Sequence, residues 1–251
     1  MIKLANTHAR LVDTLGRMIA NGEIGKDGLL PREDDLVEQF GLSRTVVREA
    51  TKTLQALGLV VTRPRIGSRI QPVARWRLLD PQVMQWVTRS VLTPGFIRDL
   101  LDLRAMIEPS AAAFAAERAT AEQRQEIAAA LDAMSAASTK ASHVRADFAF
   151  HEAILRASHN ALLMQLAPAL HAVLEGSFRL SMHDKARIRA SISVHREVAE
   201  AIIAGDSAAA QQAMNGLLQV ARRDIEQQTE QDSRRKRAGR PAGAASADQL
   251  P

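Results

Sequence analysis

The most informative absences in this sequence of 251 residues are cysteine and tyrosine, of which it has none, and aromatic residues, which make up only 3%. Without cysteine there can be no disulfide scaffold, thiolate metal site, iron–sulfur cluster or cysteine nucleophile. The scarcity of aromatic rings argues against proteins that stack single-stranded bases on them. No apolar run approaches the about 18 residues of a membrane helix, so we expect a cytoplasmic protein without a membrane anchor.

Positive charge is present in abundance but is concentrated in residues 40–77. This window contains eight basic residues and a single acid, Glu49, although the whole chain has a formal net charge of only +5. A local excess of cationic side chains is typical of a surface that binds a polyanion such as DNA.

Glycine and proline are frequent up to Pro81 and rare from there to residue 228, which indicates two kinds of domain. We predict a mainly α fold with a winged helix-turn-helix domain, built from three helices and a small β-wing, over residues 1–72. A linker over 73–81, an all-helical domain over 82–228 and a disordered basic tail over 229–251 follow. We expect Trp76, within the linker, and Trp86, shortly after it, to pack where the two domains meet.

The basic window coincides with a helix-turn-helix pattern. A glycine turn separates predicted helices at 33–40 and 44–57, Ser43 is a typical N-cap, and LVVTRPRIGSRI follows as two short strands. The start of the second helix reads base edges in such domains, and the wing contacts the DNA backbone or minor groove. The predicted DNA-binding residues are Arg32, Ser43, Arg44, Thr45, Arg48, Arg63, Arg65 and Gly67. The alternative is a solvated charged face on an ordinary small domain.

Four polar residues lie on the apolar stripes of the predicted helical domain, at Arg104, Asp147, His151 and His195. Asp147, His151 and His195 are suitable ligands for a divalent, zinc-like metal ion, and Arg104 is suited to a carboxylate. A hydroxy acid or sugar acid could bind as effector to the metal ion and to Arg104 together. The alternative is a buried Asp–His pair with a structural arginine ion pair. His143 lies off the stripe and is expected at the surface or at a helix end.

These residues resemble a known family. LPREDDLVEQFGLSRTVVREATKTLQALGLV followed by RPRIGSRI resembles the DNA-binding domain of GntR-type bacterial regulators. The segment Arg104-Ala-Met-Ile-Glu108-Pro109, the pair Asp147-x₃-His151, and His195 resemble the FCD effector domain of the FadR subfamily. The resemblance implies a homodimeric repressor that leaves operator DNA when a small carboxylate binds. WRLLDPQVMQW is similar to the branch that controls sugar-acid operons.

Two positions depart from the family pattern. FCD domains often have a further histidine where this chain has Leu217, so the resemblance implies a weaker metal site or none. The family usually has an arginine where this chain has Asp34, so operator contacts are expected to depend on Arg44, Arg48 and Arg32.

Two other functions remain open at this point. A metal-sensing regulator, in which the ion itself is the signal, would need a complete ligand set, and Leu217 argues against that. A metal-dependent hydrolase would use Asp147, His151 and His195 to activate water, but it leaves the basic winged helix unexplained. We therefore expect a regulator and not an enzyme.

Overall fold

The computed structural model describes residues 2–25, 27–90, 93–167 and 185–238. The chain forms two compact units. The first contains the described residues up to Thr93 together with 165–167, and the second contains those from Pro94 to Met164 and from 185 to 238. Among these described residues, none of the helices has the length and apolarity that a membrane crossing needs.

The first unit confirms the predicted winged helix-turn-helix. Its elements are α1 (Ile2–Ala20), α2 (Glu33–Phe40), α3 (Arg44–Ala56), β1 (Val60–Arg63), β2 (Gly67–Ile70), a 3₁₀ turn (Val73–Arg75) and α4 (Pro81–Ser90). Gly41 ends α2 in the left-handed conformation, at φ 63°, which a residue without Cβ adopts without strain. Ser43 then caps α3, because its hydroxyl accepts a hydrogen bond from the Val46 amide at 3.4 Å.

The wing is an antiparallel hairpin in which Val60 pairs with Ile70 and Arg63 pairs with Gly67. Two left-handed residues make its turn, Arg65 at φ 65° and Gly67 at φ 99°. The chain before α2 extends the hairpin, since Leu30 N–H donates to the Ser68 carbonyl at 2.8 Å. The wing is thereby tied to the start of the helix-turn-helix.

Helix α4 differs from the predicted boundary, because it packs against α1 of the first unit although the helical domain was expected to begin at residue 82. Trp86 is fully buried, its ring lies on Gly16 of α1, and its Nε1 donates to Asp13 Oδ1 at 2.9 Å. Trp76 is also buried and donates to the Gln71 carbonyl at 2.8 Å. Both tryptophans therefore belong to the core of the first unit.

The second unit is all-helical, as predicted, with α5 (Pro94–Arg118), α6 (Ala121–Ser135), α7 (Lys140–Ala157), α8 (Ala161–Met164), α9 (Lys185–Ala204) and α10 (Ser207–Ala238). Helix α5 packs against α7, α9 and α10, and α6 packs against α7 and α9. The apolar stripes of these helices face one another, so polar residues on the stripes are buried in a shared core.

The last helix of this unit ends later than predicted, and one stretch before it lies outside the described residues. Helix α8 covers Ala161–Met164, and residues 168–184 lie outside the described part of the chain. Helix α10 continues to Ala238, so residues 229–238 of the predicted disordered tail are helical. Their sequence, TEQDSRRKRA, consists mainly of good helix formers and has no glycine or proline before Gly239. Residues 239–251 lie outside the described residues.

Candidate functional site

The first candidate site is the outward face of the helix-turn-helix. Helix α3 buries Val46, Val47, Ala50 and Leu54, which turns Arg44, Thr45 and Arg48 to the exterior. Ser43 is exposed, and its hydroxyl caps the helix by accepting from the Val46 amide. The first residues of α3 therefore present two exposed arginines beside a helix N-terminus, an arrangement suited to phosphates and guanine edges.

The remaining predicted DNA-binding residues meet at the wing. Arg32, Arg63, Arg65 and Gly67 border one open groove of about 640 Å³ between the hairpin and the start of α2. All four are exposed. The structure thus brings these residues to one surface of the first unit, next to the basic hairpin turn.

Asp34, which occupies a position where the family usually has an arginine, makes a direct contact on this face. Asp34 Oδ1 lies 2.8 Å from Arg44 Nη1, and both side chains are largely exposed. The first residue of α3 is therefore paired with the first turn of α2.

The second candidate site is a buried polar cluster in the second unit. Arg104, Asp147, His151 and His195, which the sequence placed on apolar stripes, are each no more than 3% exposed and come from α5, α7 and α9. One ligand atom from each of Asp147, His151 and His195 lies within 4.8 Å of the others. Ligands that share a metal ion at about 2.0–2.2 Å lie a little closer together than this, at about 3–4 Å.

His195 is held in one tautomer. Its Nδ1 lies 2.6 Å from the Ser191 carbonyl oxygen, which can only accept, so Nδ1 carries the ring proton. In the neutral ring Nε2 then presents a lone pair 2.9 Å from Asp147 Oδ1, and a lone pair beside a carboxylate is repulsive without a cation or a second proton between them. Neither His195 Nε2 nor Asp147 Oδ2 has a hydrogen-bond partner among the described residues.

These orphaned atoms fit a metal ion. The donor set of one carboxylate and two imidazoles is one that zinc and similar divalent ions accept, and it leaves coordination positions for a ligand. Burial alone would raise the pKa of Asp147, but positive charge on the surrounding His195, His151 and Arg104 holds that pKa below its ordinary value. The carboxylate is therefore ionised and able to ligate at neutral pH.

Sequence reasoning missed the role of Glu108, which is 2% exposed and lies one turn after Arg104 on α5. Its Oε1 accepts from Arg104 Nε at 2.5 Å, and its Oε2 lies 2.8 Å from His151 Nδ1. Burial alone would raise the pKa of Glu108, but the Arg104 guanidinium and the contact with His151 together outweigh it and lower the pKa to about 2. The four-residue spacing of Arg104 and Glu108 on one helix was the available signal.

His143 was expected at the surface or at a helix end, but it is 2% exposed. It precedes Asp147 by four residues on α7, so the two share a face of the helix. Burial lowers the pKa of His143, opposed by the carboxylate of Asp147. His143 is therefore a neutral ring at the edge of the cluster.

Comparisons with known proteins identify two domain families along this chain. Residues 7–70 match the description "Bacterial regulatory proteins, gntR family" and residues 99–220 match the FCD domain. The galactonate operon transcriptional repressor of Escherichia coli K12 is 34% identical over 83% of this chain and 92% of its own length.

The chain belongs to the GntR family, with an FCD domain. The uncharacterized HTH-type regulator YieP of Escherichia coli K12 is 35% identical over 83% of this chain and 90% of its own length. The solved structure of McbR/YncC from E. coli covers 89% of this chain and 98% of that chain, at 16% identity and a TM-score of 0.53, which supports the fold alone. The protein is thus a GntR-type DNA-binding transcriptional regulator, which confirms the prediction that it is not an enzyme.

Proposed function

We propose that this GntR-type regulator represses a catabolic operon and releases its operator when a small carboxylate, such as a sugar acid, binds the helical unit. The observation that carries the proposal is the buried cluster of Arg104, Asp147, His151 and His195, which has orphaned acceptor atoms and three ligands suited to one metal ion. The similarity to the galactonate operon repressor supports the choice of a sugar acid.

Operator contacts are assigned to the first unit. Arg44 and Arg48 project from the start of α3 and would pair with base edges or phosphates, while Ser43 and Thr45 lie at the same end of the helix. Arg32, Arg63, Arg65 and Gly67 would contact the DNA backbone or the minor groove from the wing side. The regulator would act as a homodimer on a short inverted repeat, because the two-fold axis of such a dimer matches that of palindromic DNA.

Asp147, His151 and His195 would hold the metal, a zinc-like divalent ion. When bound, the ion would supply positive charge and open coordination positions for the carboxylate and hydroxyl oxygens of an effector. The Ser191 carbonyl fixes the orientation of the His195 ring, and Phe150 packs edge-on against both imidazoles at centroid distances of 5.7 and 5.2 Å. Leu217 is buried and has no ligand atom, so the three protein ligands found among the described residues leave coordination positions for the effector.

The test begins with selection of the preferred DNA from a random library by the full-length protein. Gel shifts on that DNA are then titrated with Zn²⁺ alone, with D-galactonate alone and with both. We expect release only when the sugar acid is present, and a stronger effect with metal. Release by Zn²⁺ alone would favour the metal-sensing alternative, and an absence of sequence preference in the selection would contradict the proposal.

A further inference from the structure

Glu108 compensates the charge of Arg104 before any ligand arrives. Its two oxygens face Nε and Nη2 of Arg104 at 2.5 and 3.3 Å, and all these atoms are buried. Arg104 is therefore already paired with a carboxylate in the absence of an effector. Any ligand that uses the guanidinium must approach the side that Glu108 leaves uncovered.

Glu108 is also linked to the metal-ligand set. Oε2 of Glu108 lies 2.8 Å from His151 Nδ1, and Arg104 Nη2 lies 3.4 Å from His151 Nε2. A carboxylate beside the ring of a ligating histidine is the usual outer partner that orients such a ligand. Glu108 can thus influence both the arginine and the metal site without touching the effector.

The charge balance of this cluster follows from three residues. Among the buried side chains described in the second unit, the charged ones are Arg104, Glu108 and Asp147. With the histidines as neutral ligands, one guanidinium and two carboxylates leave one negative charge, and a divalent cation converts this to one positive charge. A single carboxylate group then neutralises the buried site, whereas a second would leave an unbalanced charge in a medium where that is costly.

We propose that Glu108 makes the effector site selective for ligands with a single carboxylate group. Glu108 is a specificity-determining residue that acts through Arg104 and His151. The inference rests on the proposed carboxylate effector and adds the charge class of that effector.

The experiment compares ligand pairs that differ by one carboxylate on the same carbon skeleton. The pairs are D-galactonate with galactarate, D-gluconate with glucarate, and glycerate with tartronate. Dissociation constants are measured by calorimetry on the full-length protein loaded with Zn²⁺. We expect the wild type to prefer the monocarboxylate in each pair that it binds, and Glu108→Gln to reduce that preference by about tenfold or more. Glu126→Gln removes an exposed carboxylate of the same unit, which pairs with Arg156 at 3.1 Å, and is expected to leave the ratio unchanged.

A charge-conserving variant guards against a loss of the fold, since Glu108→Gln leaves Arg104 unpaired. Glu108→Asp keeps a carboxylate at the same position of α5 and is expected to retain the monocarboxylate preference. An independent readout is Zn²⁺ affinity of the metal-free protein, which we expect to fall about 10–100-fold in Glu108→Gln.

The outcomes separate the two proposals. A preference ratio in Glu108→Gln equal to that of the wild type overturns the role of Glu108 while the carboxylate effector stands. A loss of preference in Glu108→Asp overturns it as well, and unchanged Zn²⁺ affinity in Glu108→Gln contradicts the charge count. If the wild type binds none of the six acids, the proposed effector class fails and this inference fails with it.

Discussion

Asp34 on α2 and Arg44 on α3 form a salt bridge of 2.8 Å across the turn of the helix-turn-helix. Arg44 is the first residue of the helix that we expect to enter the major groove, so the acid competes with DNA for its guanidinium. Both side chains are mostly exposed, at 76% and 65%, so the pair contributes little to stability. Its consequences should therefore appear in DNA binding.

Replacing Asp34 with alanine should strengthen DNA binding and make it more sensitive to salt. The change removes a negative charge near the phosphates and frees Arg44 to neutralise one of them, so the slope of log affinity against log salt should grow by about one unit. Filter binding between about 50 and 200 mM salt measures this. The same change in an Arg44→Ala background should give a smaller gain, and an equal gain in both backgrounds would show that the pair has no part in binding.

Arginines of the recognition helix and of the wing should differ in what they contribute. Arg44→Ala or Arg48→Ala should weaken binding to the selected DNA by about 1–3 kcal/mol if each arginine pairs with a guanine, with relaxed preference at that position. Arg63→Ala should weaken binding to all sequences alike and lower the salt slope. Arg156→Ala, on the surface of the second unit, is the control. Unchanged affinity in both the Arg44 and Arg48 variants would remove the assignment of the recognition helix.

Breaking the buried pair of Arg104 and Glu108 should destabilise the protein strongly. Arg104→Ala leaves an uncompensated buried carboxylate and should lower the free energy of unfolding by about 3–5 kcal/mol. Because the pKa of Glu108 is lowered to about 2 in the folded chain, its stabilisation is complete above its ordinary pKa and is lost as the pH falls towards 2. Urea unfolding at pH 7 and pH 3 measures both effects.

The acid-induced loss should be smaller in Glu108→Gln than in the wild type, since glutamine cannot titrate. An equal loss in both proteins would assign the acid sensitivity to other carboxylates. If Arg104→Ala kept its stability and operator binding but no longer responded to the effector, Arg104 would act on the ligand alone.

Metal binding should raise the melting temperature through the second unit. Zn²⁺ should stabilise the wild type and a chelator should reverse this, because an ion that binds only the folded chain shifts the unfolding equilibrium. Asp147→Asn and His195→Gln should abolish the shift. His159→Gln, an exposed histidine that contacts Gln123 at 2.8 Å, should keep it. An equal Zn²⁺ effect in all four proteins would place the ion elsewhere.

The core of the buried cluster could be predicted from the sequence because an amphipathic helix makes an inward polar residue conspicuous. Arg104, Asp147, His151 and His195 each interrupt an apolar stripe, and the structure buries all four. Glu108 and His143 were missed although each lies four residues from a stripe residue. Residues at either edge of an apolar stripe are also buried when a neighbouring helix covers them. The periodicity of the sequence does not show which edge that helix covers.

The position of α4 could not be derived from periodicity either. Its apolar residues predict an amphipathic helix but not the partner that covers it. Pro81, the last residue of the segment rich in glycine and proline, suggested a domain boundary. The decisive feature is Gly16 on α1, where the absence of a side chain leaves room for the indole of Trp86. A glycine in a helix is visible in the sequence, but its long-range partner is not.

The burial of Trp76 and Trp86 in the first unit makes intrinsic tryptophan fluorescence a specific probe of that unit. The chain has no tyrosine and no third tryptophan, so its intrinsic ultraviolet emission comes almost entirely from the winged helix and α4. Circular dichroism at 222 nm, in contrast, reports helices of both units. When the two signals are followed in one denaturation series, the emission curve isolates the DNA-binding unit, and a shift of only the dichroism curve on adding a sugar acid would locate its stabilising effect in the other unit.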